Sequence, residues 1–147
     1  MTQKEMDLKI QQLNFEHLLN GFDIKRRKEE VERRKRGFLQ KETENANAMK
    51  AKIIEKTREL RKQFCERSDD VQRNNLKQEI FQLERELSVS KSLHQDVINR
   101  INTEALDARM KLDDEARELE IRIEREKLKI SEQYIQEFKK KEEANKD

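Results

Sequence analysis

Apolar residues recur along the second half of the chain at steps of four, four and three. The positions are Val97, Ile101, Ala105, Ala108, Leu112, Ala116, Leu119, Ile123, Lys127, Ile130, Tyr134 and Phe138, and only Lys127 is not apolar. Against a background in which 45% of residues are charged, this order is not accidental. An eleven-residue period corresponds to about 3.67 residues per turn, the step of a nearly straight or slightly right-handed coil, and it predicts a long helix with one seam for a partner helix. Upstream, Leu76, Ile80, Leu83, Leu87, Ser90, His94, Val97 and Ile101 follow a heptad step. Phe38, Glu42, Ala46, Met49, Ile53, Thr57, Leu60, Phe64, Ser68 and Val71 return to the four-four-three step.

These runs divide the chain into a ragged amphipathic helix over 1–37, a first coiled-coil segment over 38–71, a phase skip or hinge at 72–75, a second coiled-coil segment over 76–138 and a charged tail over 139–147. The tail has no apolar seam and is expected to fray. In the first segment Met6, Ile10, Leu13, His17, Asn20 and Ile24 are at heptad spacing, while Leu8, Phe15, Leu18, Leu19 and Phe22 lie off that seam and require cover from another side. Gly21 and Gly37 are read as tolerated inside a helix, or as points where another chain comes close. The stretch 66–75 is rich in Ser, Asp and Asn, which compete with helical backbone for hydrogen bonds. With no Gly or Pro there, the expected reading is one continuous helix that shifts phase. The alternative is a turn between two arms of about 70 residues each, with Asn75 as the N-cap of the second.

Composition narrows the class to all-α and extended. Hydrophobic residues make up 33% and aromatics 5%, Trp and Pro are absent, and Gly occurs twice, so there is enough apolar surface for stripes but not for a globular core. Disorder is the competing class, and the periodicity opposes it. Net charge is +2, which implies no bulk attraction to nucleic acid. Cys65 stands alone, which excludes an intrachain disulfide and fits a reducing compartment; it is read as a small half-buried side chain. No run approaches the roughly 20 apolar residues of a membrane span, and the N-terminus lacks a signal-peptide core.

One polar stretch stands out. Lys25, Arg26, Arg27, Lys28, Arg33, Arg34, Lys35 and Arg36 fall within twelve residues. They are candidates for contact with an acidic partner such as tubulin tails or an import receptor. The plainer reading is a solvated helix supported by pairs four apart, such as Lys25 with Glu29 and Lys28 with Glu32. Basic residues without interleaved aromatics lack stacking platforms for nucleic acid. No residues are identified as catalytic, cofactor-binding or metal-binding: His17 and His94 are far apart, and no Gly-rich phosphate loop, CxxC or HExxH occurs. His94, in the seam beside Ser90, is read as a polar core residue that sets register.

The expected function is therefore non-enzymatic. The chain reads as a structural coiled-coil protein that oligomerises, with itself or with other coiled-coil proteins, and scaffolds a cytoplasmic, cytoskeletal assembly such as a centriole, cilium or microtubule lattice. A nuclear coiled coil using 25–36 for import or an acidic partner is the alternative. The interface is expected at Ile53, Leu60, Phe64, Leu76, Ile80, Leu83, Leu87, Val97, Ile101, Leu112, Leu119, Ile123, Ile130, Tyr134 and Phe138. A second apolar stripe, through Ile98, Leu106, Ile121, Leu128 and Ile135, suggests a further neighbour.

Overall fold

The computed structural model describes residues 1–67 and 69–145, and within them the chain is all-α. Helix α1 spans Gln3–Glu66 and helix α2 spans Asp70–Asn145. Good helix formers dominate both, and no proline interrupts either. The same propensity explains why α2 continues through the Lys- and Glu-rich tail as far as Asn145, where fraying was expected. Lys146 and Asp147, the end of that tail, lie outside the described residues.

The continuous helix favoured by the absence of Gly and Pro is not what the chain adopts. It breaks between Glu66 and Asp70 and folds back. The new N-cap is Asp69, not Asn75: the Val71 amide donates to Asp69 Oδ1 at 3.0 Å, which satisfies one of the orphan donors of a helix start. Arg73 N–H reaches Asp69 O at 3.0 Å, and Arg67 N–H closes the last turn of α1 on Gln63 O at 3.1 Å. No described non-Gly residue, those flanking the reversal included, has positive φ. The Arg73 guanidinium lies 4.5 Å from the centre of the Phe64 ring, and Arg67 donates to Gln72 Oε1 at 3.0 Å, so both sides of the turn are tied. Asp69→Ala is expected to cost about 1 kcal/mol in chemical denaturation, with Asp69→Asn retaining most of the stability. An unchanged midpoint in the alanine variant would show that the cap does not hold the turn. Ser68, a predicted seam position, lies outside the described residues.

Two compact units make up the chain. One comprises Met1–Val31 with Asp107–Asp147, and the other Glu32–Leu106. In the first, the two helical segments run antiparallel: Arg27 pairs with Glu115 at 2.7 Å, Lys28 with Asp113, Glu16 with Arg122, and the amino terminus with Glu137. Its core is Leu13, Ile24, Leu112 and Ile123. The second contains the turn and is antiparallel in its own right: Glu42 meets His94 at 3.2 Å, Met49 meets Ser90 at 3.2 Å, and Arg61 meets Glu84 at 2.7 Å. Leu83 and Ala105 are buried among its described residues.

Candidate assembly surface

Burial follows the predicted seam of α2 closely. From Val97 to Tyr134, every one of the eleven seam positions is buried or half-buried. Ile123 is 1% exposed and Leu112 7%. Leu119, Ile130 and Tyr134 are half-buried beside them. Phe138 departs from the pattern: its side chain is exposed, and its ring stacks on Tyr134 with centroids 6.3 Å apart. Lys127 is half-buried, its stem laid along the seam and its Nζ 3.5 Å from Glu124. In the unit formed by 32–106, Leu83 is buried, and Leu76, Ile80, Leu87, Val97, Ile101, Ile53, Leu60 and Phe64 are half-buried. Within each unit the seam is thus covered by the other helical segment of the same chain.

Several expectations change at this level, among them the seam positions Met49 and His17, both of which are exposed. Phe38 is exposed and Leu39 takes its place on the covered face, because the steps of four and three that run from Ile24 through Lys28, Val31 and Lys35 arrive at Leu39. Val71 is exposed for a different reason: it lies in the first turn of α2, beyond the break. Cys65, read as half-buried, is an exposed free thiol in the last turn of α1. Gly21 and Gly37 face open space, where a methyl group would meet nothing within 4 Å.

The basic segment finds part of its acidic partner within the chain. Arg27 donates to Glu115 Oε1 at 2.7 Å and Lys28 pairs with Asp113. Both belong to the acidic triplet Asp113-Asp114-Glu115. Arg26 pairs with Asp23 at 2.9 Å, Lys35 with Glu32 at 4.0 Å, and Arg36 Nε donates to the Glu32 carbonyl at 3.4 Å. These contacts shift titrations in the directions that charge requires. The hydrogen bond from Lys28, with its charge, holds the Asp113 carboxyl below its ordinary value. The Glu115 carboxylate raises Arg27, through its hydrogen bond first and its charge second. A hydrogen bond from the amino terminus lowers Glu137. His94 Nδ1 lies 3.2 Å from Glu42 Oε1, a polar pair set into the seam. His17 is exposed.

What remains outward is apolar. In the unit built from 1–31 and 107–147, α1 exposes Leu8, Phe15, Leu18, Leu19 and Phe22, each more than half accessible. Leu8, Phe15 and Phe22 each follow a covered residue, Met6, Leu13 and Asn20, by two positions. At 100° per residue they stand roughly 200° round the helix, on the side away from the seam. Helix α2 exposes Ile121, Leu128 and Ile135 at the same seven-residue spacing, roughly 100–160° from its own seam. Of the predicted second stripe, Leu106 is also exposed and Ile98 is half-buried. A hollow of about 590 Å³ lies along α2 beside Ile121 and Leu128, floored by Glu124, Arg125 and Ser131. The unit formed by 32–106 has a separate open groove of about 940 Å³ lined by Met49, Ile53, Leu83, Val89 and Leu93, with His94 and Glu42 at one end.

Among the described residues, no group of three or more His, Cys, Asp or Glu side chains could hold a metal ion, and no helix is long and apolar enough to cross a membrane. No family model, no curated protein and no solved structure matches the chain.

Proposed function

We propose that this protein is a structural building block: a non-enzymatic all-α protein that oligomerises through its outer apolar stripes and scaffolds a larger assembly. The observation that carries this reading is the row of more than half-exposed Leu8, Phe15, Leu18, Leu19 and Phe22 on the side of α1 away from its own partner helix. Contiguous apolar rows of this kind mark surfaces that a partner covers. A solvated antiparallel pair with no further contact would place charged residues there, as it does elsewhere on these helices.

A cytoskeletal setting is the more specific part of the proposal. It rests on the long, charged, proline-free periodic helices, a composition suited to struts and lattices. The pairing of Arg27 and Lys28 with acidic residues of the same chain supports a structural use for that part of the basic segment over recognition of an acidic partner.

Sedimentation velocity over a micromolar concentration series tests the assembly reading. Average mass is expected to rise well above the 17.9 kDa of one chain. A single monomeric species at every concentration would oppose it. Localisation of a tagged chain tests the setting: filamentous or punctate cytoplasmic structures are expected, and exclusive nuclear accumulation would favour the import reading of 25–36.

A further inference from the structure

Resting on the assembly reading above, we infer that the occupant of the outer stripe of α1 is the outer stripe of α2 in a second copy of this chain, so that copies join edge to edge in an open-ended row. Both stripes belong to the unit formed by 1–31 and 107–147. Their spacings match position for position. An antiparallel alignment that places Phe15 opposite Leu128 also places Leu8 opposite Ile135 and Phe22 opposite Ile121. Leu18 and Leu19 then fall over Arg125 and Glu124, at the hollow between Ile121 and Leu128. This is also, within about one turn, the alignment the chain uses internally, where Arg27 meets Glu115 and Glu16 meets Arg122. Successive copies would therefore repeat sideways with little axial shift.

In its central part, between Leu8 and Phe22, this pairing avoids a carboxylate contact that self-pairing of α2 would make. If the α2 stripe met its own copy with Ile121 opposite Ile135, Glu124 would face Glu132 across the contact. Against α1, Glu124 meets Leu19 and Glu132 meets Gln11; at the ends of the stripe Lys25 comes opposite Glu118, but Arg26 comes opposite Arg117 and Lys4 opposite Lys139, which keeps the contact weak. Like charges across an interface are penalised and opposite charges fix register. Because each stripe faces away from its own partner helix, one copy cannot offer both to the same neighbour. The contact is heterologous, and such contacts propagate unless a rotation closes them into a ring. Area sets the strength. Two Phe and four branched aliphatic side chains, each about half accessible, bring on the order of 600 Å². With Leu18, Leu19 and the flanking polar stems, one contact approaches the roughly 1,000 Å² of a specific but weak interface.

Two edge-blocked full-length variants test this, Phe15→Asp/Phe22→Asp and Ile121→Asp/Leu128→Asp, each checked for wild-type helicity by circular dichroism. Either one alone is expected to sediment as a monomer at concentrations where the wild type assembles. Mixed in equal amounts, they are expected to form a species of two chains and no larger, because each retains one intact edge. As a readout independent of stability, Phe15→Cys and Leu128→Cys chains in a Cys65→Ser background are mixed with a short bismaleimide, and a mixed cross-linked dimer is expected. Self-dimerisation of either edge-blocked variant, or a mixture that stays monomeric while the wild type assembles, would overturn the edge-to-edge pairing and leave the assembly reading standing. A wild type that never assembles would instead remove the assembly reading itself.

Discussion

Ile123→Asp is expected to unfold the unit built from 1–31 and 107–147. Ile123 is 1% exposed, the most deeply covered of the core residues, and its neighbours on the seam, Leu119 and Ile130, are apolar and half-buried. A carboxylate there must either ionise without a partner or protonate, and it also removes the packing of a branched aliphatic side chain. Together these costs come to about 4 kcal/mol or more, comparable with the whole stability of a small domain. Hydrogen exchange read by mass spectrometry should lose protection across 1–31 and 107–145. Ile121→Asp is the matched control: two residues away on the same helix but half-exposed, it should leave that protection in place. Comparable loss in both variants would mean that α2 does not present Ile123 to α1.

Leu83→Asp is expected to have the second largest effect, confined to the unit formed by 32–106. Leu83 is 8% exposed and buried on the heptad face of α2, where Ile80 and Leu87 flank it. The cost is again that of an unpaired buried carboxylate, about 3 kcal/mol or more. Phe81→Asp serves as the comparison, since Phe81 is 59% exposed and its replacement should change stability little. Chemical denaturation followed by circular dichroism should therefore shift far more for Leu83→Asp than for Phe81→Asp. The opposite order would contradict the assignment of the covered face.

Much of this was legible in the sequence because a helix that packs on one side writes its period into its apolar residues. The four-four-three step from Val97 gives the covered face of α2 through Tyr134, and the off-seam positions Phe15, Phe22 and Ile121 are indeed exposed. The reversal was harder to read. Cys65 to Asn75 carries the residues that loosen a helix, and Asp69 caps the start of α2, but no Gly or Pro stands there to mark a turn. Phe38 was misplaced because Phe38 and Leu39 are adjacent apolar residues, and only the phase inherited from Ile24 decides between them. The partner of the seam leaves a fainter trace. The acidic triplet Asp113-Asp114-Glu115 meets Arg27 and Lys28 only when the two helices run antiparallel, a relation that no local window contains. A parallel homodimer would bury the same seam residues, so periodicity alone could not separate the two.

Covering the seam internally is what leaves the outer stripes as the surface available to partners, and one measurement tests it most directly. Met49 and Ser90 touch, with Ser90 Oγ 3.2 Å from Met49 Sδ. The variant Met49→Cys/Ser90→Cys in a Cys65→Ser background, treated at high dilution with a short bismaleimide and weighed by denaturing mass spectrometry, should give one bridged chain. Products consisting only of two chains joined together would show that the seam is closed by another molecule, and would contradict the intrachain hairpin.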